Sequence, residues 1–479
     1  MNDLSNKAIS GVFWRLAERI GAKSVSFIVS IILARILTPS DFGTISLIMV
    51  FINIMQVFVD SGIGSALVQK KDVDELDYST VFLFNMFMCS VLYILIFLLA
   101  PSIAQFFGNW SLAVYIRVLG LGLLISGITN IQQSYVTREL KFRVFFLSTL
   151  VGSVCGAVVG VLMAVLGFGV WALIGQTLIN QLINCIVLLN VIKMKLNIKF
   201  SFDRLKFLFS FGWKLLVSTL LDTIYNNIRQ LIIGKMYSPS DLAYFNRGDA
   251  MPQLIISSIV TSIDSVLFST MSKYQDDVVR VKQMTKRAMG LTTYIIWPLM
   301  IGLLVVANPL VRILLTDKWL PAVPFLQIFA IAYAFWPLHT ANLNAIKAVG
   351  RSDIFLRIEV IKKIFGISIL LLSLPFGIMG MAWSLLVMSI AAVYINSVPT
   401  KRLIDYGFME QIRDILPSFV RSIIMGVCIY PLYLLSFPIG VVLMLQIIIG
   451  ALIYVALSFF EKDKNFVYIL SYVKKKRSR

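Results

Sequence analysis

The chain has 479 residues, 58% of them hydrophobic and only 14% charged, where a soluble domain is roughly half apolar and a quarter charged. That balance excludes an ordinary soluble globular protein and predicts an all-α polytopic membrane protein. The formal net charge of +19 does not imply a nucleic-acid partner, because the basic residues are dispersed between apolar runs and report membrane topology.

A helix crossing the hydrocarbon core needs about 20 apolar residues. Runs of that kind predict about fourteen spans: 10–34, 43–68, 79–103, 112–136, 144–166, 170–192, 208–234, 250–271, 288–310, 322–348, 354–374, 378–398, 415–435 and 439–459. The opening stretch, MNDLSNKAISG, is polar, and no small-residue cleavage site follows it, so no signal peptide is expected. With the N-terminus inside, the inner loops hold most of the Lys and Arg, and the outer loops hold only Arg35, Lys235, Arg247, Arg312 and Lys318. That skew places both termini in the cytoplasm. The basic tail, VKKKRSR, reads as an anchor on the inner leaflet or as a topology signal alone.

Short connections leave no room for a soluble catalytic domain, and no nucleophile–base pair stands out, so an enzyme is not expected. The D-x-D inside Asp72–Glu75 has the form of a metal-nucleotide ligand, but Lys70 and Lys71 beside it favour a solvated acidic loop. Cys89, Cys155, Cys185 and Cys428 lie inside apolar runs with no CxxC spacing and read as small hydrophobes. A single histidine, His339, excludes a His-rich metal centre. Neither a metal nor a cofactor is expected.

The chain repeats itself. RILTPSDFG, from Arg35 to Gly43, returns as KMYSPSDLA, from Lys235 to Ala243. Trp14-Arg15 aligns with Trp213-Lys214, and GVWAL at Gly169 resembles GMAWSL at Gly380. Chance recurrence of turn chemistry is the plain alternative. The register supports two six-helix lobes, 1–195 and 196–400, with 401–479 supplying two added helices and the basic tail. Six is even, so the copies share an orientation and a pseudo-two-fold along the membrane normal.

Each copy opens on a helix with polar residues along one face. These are Arg15, Arg19, Lys23, Ser26 and Ser30 in the first, and Lys214, Ser218, Asp222, Tyr225 and Arg229 in the seventh. Both series fall within an arc of about 80° at 100° per residue. Such stripes should face water or protein, since each charge near the bilayer centre costs about 2.5–3.5 kcal/mol even on lenient scales. An aqueous cavity lined by the two helices is one reading. A buried salt-bridge spine, neutralised in part by Glu18 and Asp222, is the other. Arg357, Lys362, Lys363 and Arg421 read as residues near span ends that snorkel.

Weaker polar faces occur at Asn53, Gln56 and Asp60, at Asn130, Gln133 and Thr137, and at His339, Asn342, Asn344 and Lys347. They would line the same cavity or make interhelical hydrogen bonds. Gly152, Gly156 and Gly160 form a close-packing ridge. The candidate substrate-cavity residues are therefore Arg15, Arg19, Lys23, Ser26, Asp60, Lys214, Asp222, Tyr225, Arg229, His339 and Lys347.

The segments ARILTPSDFG, VFVDSGIGSALVQKKD, GFGVWAL, LIIGKMYSPSDLAYFNR and GRSDIFLRIEVIKK resemble, in order and over residues 7–400, the polysaccharide-transporter family. This branch of the multidrug/oligosaccharidyl-lipid/polysaccharide exporter superfamily includes the Wzx-type, colanic-acid-type flippases. The resemblance implies a V-shaped pair of six-helix lobes around a central cavity in the bacterial inner membrane. It also implies rocking-type transport of undecaprenyl-pyrophosphate-linked oligosaccharides, among membrane lipids and beside a polysaccharide polymerase and chain-length machinery. Carried over by position, Arg15, Arg19, Lys23 and Arg229 are the cationic cavity residues. Many relatives have an acidic residue near Arg229 where this chain reads NIRQLIIG, so ion coupling does not transfer through that position. A cation or drug antiporter, which would need Asp60, Asp222 and Asp264 as ion carriers, and a non-transporting assembly scaffold are the rival readings.

Overall fold

The computed structural model describes residues 21, 24–60, 63–70, 72–192 and 199–477. Contacts group the helices into two compact units, one up to Ala243 and the other from Tyr244 onward. The first unit contains α1 (Ser24–Ile36), α2 (Pro39–Val59), α3 (Ile63–Gln69), α4 (Glu75–Phe107), α5 (Ser111–Arg138), α6 (Phe142–Val165), α7 (Val170–Val191) and α8 (Phe202–Met236). After α9 (Pro239–Ser272), which begins in the first unit, come α10 (Val278–Leu315), α11 (Val323–Ala334), α12 (Trp336–Ala348), α13 (Ser352–Ser373), α14 (Gly377–Ile404), α15 (Phe408–Ile429), α16 (Ile439–Phe460) and α17 (Lys464–Arg477).

The architecture is all-α, with no strand among the described residues. Among the described residues, ten helical segments are long and apolar enough to cross a membrane, or eleven if the two halves of α8, bent by 50°, make one span. One of the ten, Ser352–Ile404, contains both α13 and α14. Of the other expected spans, 10–34 is described at residue 21 and over 24–34, the latter in the short α1, and 250–271 falls on α9, a helix 34 residues long. Local sequence explains the breaks. Asp74 caps α4 and exchanges hydrogen bonds with Asp77 in a capping box, and α4 ends at Gly108 with φ 67°.

The repeated turns are two copies of one cap. Thr38 Oγ1 donates to Asp41 Oδ2 at 2.7 Å, and Asp41 N–H donates back to Thr38 Oγ1 at 3.3 Å. Ser238 and Asp241 make the same exchange at 2.7 and 3.1 Å. In each, Pro follows the cap at the first helical position, where its missing N–H costs nothing. The two caps also meet. A Cβ on Gly43 would lie 1.6 Å from the carbonyl oxygen of Pro239, and a Cβ on Gly234 would lie 2.6 Å from Leu47. The start of α2 and the α8–α9 elbow therefore touch at the backbone. Lys235 reaches over the Phe106 ring at 4.3 Å and donates to the Phe106 carbonyl.

Elsewhere in the first unit α4 packs on α5, α6 on α7, and α8 on α2, α3 and α4. By contact α8 thus goes with the first unit, although the repeat makes it the opening helix of the second copy. The glycine ridge of α6 is a close-packing surface: Cβ atoms on Gly152 and Gly156 would lie 2.8 and 2.7 Å from the carbonyls of Asn180 and Gln176 on α7.

The second unit is built around α10, against which α11, α12, α15 and α16 pack. Its core includes Met289, Leu338, Ala345, Val393 and Tyr406. Arg421 departs from the snorkelling expectation. Its side chain is 1% exposed, pairs with Asp463 at 2.5 Å and lies beside the rings of Tyr294 and Tyr454. Charge on that helix is held by protein rather than by an interface.

Gly43→Ala should destabilise the protein by about 3 kcal/mol, the upper end of ordinary overpacking. Gly440→Ala, where a new Cβ meets nothing within 4 Å, should be neutral or slightly stabilising. Thermal unfolding of the two purified variants in detergent checks the contrast.

Candidate functional site

The described part of the polar stripe lies on α1 and α8. Residues Arg15, Arg19 and Lys23 lie outside the described residues. Ser26 is exposed and Ser30 half-buried. On α8, Lys214 and Ser218 are exposed while Asp222, Tyr225 and Arg229 are half-buried. Helix α8 packs on α2, α3 and α4, with Leu205, Leu208 and Ile233 buried near its two ends, while Leu215, Val217, Leu221 and Ile224 between them are exposed.

A second polar feature lies inside the first unit. Residues of α2, α5, α6 and α7 line a cleft of about 320 Å³. Asp60, at the C-terminal end of α2, is its single carboxylate. Asp60 Oδ1 accepts from Gln56 Nε2 at 3.1 Å and from Asn130 Nδ2 at 3.0 Å. The structure thus brings together the weak polar faces of α2 and α5. It adds a third that sequence reading passed over: Asn180, Gln181 and Asn184 of α7. The signal was present as Gln176, Asn180 and Asn184 at four-residue spacing, opposite the glycine ridge of α6.

His339 and Lys347 belong to the second unit, and α12 carries both. His339 Nε2 lies 3.3 Å from Ser389 Oγ, whose proton goes to the Ala332 carbonyl at 2.8 Å. Asn396 Nδ2 donates to His339 Nδ1 at 3.4 Å. The imidazole therefore donates from Nε2 and accepts at Nδ1, which is its neutral form. Asn342 exchanges two hydrogen bonds of 2.9 Å with Gln411. Lys347 is exposed, with its ammonium 5.6 Å from the centre of the Phe355 ring. Among the described residues no cluster of three or more His, Cys, Asp or Glu could hold a metal ion.

The D-x-D segment is a structural junction. Asp74 caps α4 and pairs with Arg204 of α8 at 2.5 Å. Asp77, with no exposed side chain, pairs with Lys70 at 2.7 Å and with the same Arg204 at 3.1 Å. Arg138 donates to the Leu67 and Lys70 carbonyls. Arg204 holds the Asp74 carboxyl below its ordinary range. That contribution is present at neutral pH and is lost as pH falls through the lowered value. Asp72 is exposed.

These observations define a multi-pass, all-helical membrane protein with charged and polar groups concentrated on a few helix faces. Its fold is shared with a lipid II flippase, MurJ, in an inward closed conformation, at a TM-score of 0.76 and 17% identity, covering 94% of this chain and 99% of that one. An inward-facing multidrug resistance MATE family transporter aligns at a TM-score of 0.63 and 16% identity, covering 82% of this chain and 94% of that one. A family model for polysaccharide biosynthesis proteins matches residues 32–324, and the chain belongs to that family. Among curated relatives, the succinoglycan biosynthesis transport protein ExoT of Rhizobium meliloti is 24% identical over 72% of this chain and 69% of its own length. The teichuronic acid biosynthesis protein TuaB of Bacillus subtilis is 25% identical over 89% of both. The lipopolysaccharide biosynthesis protein WzxC of Escherichia coli is 22% identical over 92% of this chain and 89% of its own.

Asp77→Ala should cost about 2 kcal/mol, because it removes a buried carboxylate that both Lys70 and Arg204 contact. Asp72→Ala should stay within about 0.5 kcal/mol. A metal-binding D-x-D would need both Asp72 and Asp74, so metal binding by the wild type that Asp72→Ala and Asp74→Ala abolish equally would contradict the junction.

Proposed function

We propose that the protein is a flippase for undecaprenyl-pyrophosphate-linked oligosaccharide repeat units, carrying the headgroup from the inner to the outer leaflet of the bacterial cytoplasmic membrane. The observation that carries the reading is the stripe on α8, where Lys214, Asp222, Tyr225 and Arg229 follow one another along a helix of 35 residues in an otherwise apolar chain. The relatives named for succinoglycan transport and lipopolysaccharide biosynthesis support it. A pyrophosphate cannot enter hydrocarbon bare, since the Born cost is tens of kcal/mol. Cationic side chains along a hydrated face replace the lost hydration with charge-assisted hydrogen bonds. Arg15, Arg19, Lys23, Lys214 and Arg229 would supply those bonds, with Ser26 and Tyr225 beside them. Asp222 would temper the positive charge so that the headgroup can leave again.

In this reading the lipid tail stays in the bilayer while the headgroup crosses by alternating access. Residues 1–195 and 196–400 form the two lobes, and 401–479 is an addition with a basic tail at the inner leaflet. Both termini are cytoplasmic. A polysaccharide polymerase and chain-length machinery would receive the flipped unit. The chain itself moves its substrate without catalysing a reaction on it.

Arg15→Ala combined with Arg229→Ala should lower polymer export roughly tenfold or more, given about 1.5–3 kcal/mol per hydrogen bond to a charged group, while membrane insertion is unchanged. Export in a deletion strain complemented with the variant, normalised to protein in the membrane, measures this. Normal export would contradict the stripe. Loss of cation efflux in Asp222→Asn, with export intact, would favour the antiporter reading.

A further inference from the structure

We propose that the polar cleft between α2, α5, α6 and α7 is a sugar subsite that binds one or two rings of the glycan headgroup. This inference rests on the lipid-linked oligosaccharide reading and names what selects the glycan.

The donor set decides between ligand classes. Among the described residues, seven carboxamide side chains, three hydroxyl side chains and one carboxylate line the cleft, with no Lys, Arg or His. A sugar hydroxyl both donates and accepts a hydrogen bond, and a carboxamide does the same. A pyrophosphate would call for cations, and none of the described lining residues is one. A divalent metal would call for several carboxylates, and Asp60 stands alone. The volume of about 320 Å³ falls at the small end of ligand sites, roughly 300–1,000 Å³, which is roomy for a bare ion.

The hydrogen-bond ledger points the same way. Where these helices need polar glue they make it, as Gln56 and Asn130 do with Asp60 Oδ1. By contrast, Gln181 Oε1 and Asn184 Oδ1 are buried with no hydrogen-bond partner. Buried polar atoms left unpaired are destabilising, and a native fold retains such groups for a reason. The carboxamides of Asn53 and Gln133 stand on the exposed side of the cleft, where a ring could enter. Asp60 can accept from two neighbouring hydroxyls through its remaining lone pairs. Charge and shape are thereby divided: the stripe holds the pyrophosphate, and the amide-rich cleft with its one carboxylate reads the sugar.

The test uses the full-length protein purified in detergent and two probes. One is undecaprenyl pyrophosphate without sugar. The other is the lipid-free repeat-unit oligosaccharide released by mild acid from the producing cells' own lipid-linked pool and labelled for thermophoresis. Asn53→Leu with Gln133→Leu removes two exposed amides with little loss of packing. It should weaken oligosaccharide binding at least tenfold and leave undecaprenyl pyrophosphate binding unchanged. Asp60→Asn, which keeps the side-chain shape, should weaken the oligosaccharide alone by at least threefold. Arg229→Ala should weaken undecaprenyl pyrophosphate. Three results would overturn the subsite: no oligosaccharide binding by the wild type, equal weakening of both probes by the double Leu variant, or a change confined to the pH or sodium dependence of binding. A wild type that restores export yet ignores the free oligosaccharide sinks the cleft alone. A wild type that binds neither probe and restores no export sinks the flippase reading as well.

Discussion

Hydrocarbon offers no hydrogen bonds, and everything else in this chain follows from that constraint. Backbone groups must be satisfied inside each helix, which accounts for an all-helical chain. Side-chain charges must be held by protein or water, which accounts for where they are found. Arg421 is enclosed by Asp463, Ser458 and two tyrosine rings. His339 spends both ring nitrogens on Ser389 and Asn396. Lys70 and Arg204 are balanced by Asp74 and Asp77 beside the start of α4. The cleft around Asp60 differs from these, because Gln181 Oε1 and Asn184 Oδ1 are buried there without a hydrogen-bond partner.

The pair of caps gives the first unit a fixed point. Thr38–Asp41 and Ser238–Asp241 start α2 and α9 in the same way, and the absence of a side chain at Gly43 lets the Pro239 carbonyl come up against α2. Two turns alike in sequence and in capping are thus in contact. The position matching Gly43 in the second copy is Ala243, so the contact is asymmetric although the turns are alike. Between that contact and the Asp74–Arg204 pair, α8 is tied at both ends, and its stripe is displayed from a braced helix.

Much of this was legible in the sequence, for physical reasons. Apolar runs of about 20 residues betray helices in a membrane, and from residue 79 onward the expected spans fall on helix to within a few residues. The capping chemistry of T-P-S-D and S-P-S-D was readable because an N-cap depends only on neighbours in sequence. The glycines of α6 announced close packing because spacing alone sets a helix face. What stayed hidden depended on distant pairing. The amides of α7 look unremarkable within LINQLINC until α6 and α2 are packed beside them. The repeat assigns α8 to the second copy, whereas side-chain burial packs it with the first unit, and periodicity carries no information about which neighbour a helix chooses. Arg421 looked like a residue at a span end because its partner, Asp463, lies beyond the following helix.

The central claim is that cationic groups on the stripe carry a pyrophosphate-linked sugar across the membrane. Its most direct measurement is reconstitution of the full-length protein into liposomes that hold labelled undecaprenyl-pyrophosphate oligosaccharide in one leaflet, followed by the rate at which the glycan becomes accessible in the other. The account predicts transfer by the wild type that is lost when Arg15 and Arg229 are both replaced by Ala. Transfer at the rate of protein-free liposomes, or equal transfer by the wild type and the double variant, would contradict it.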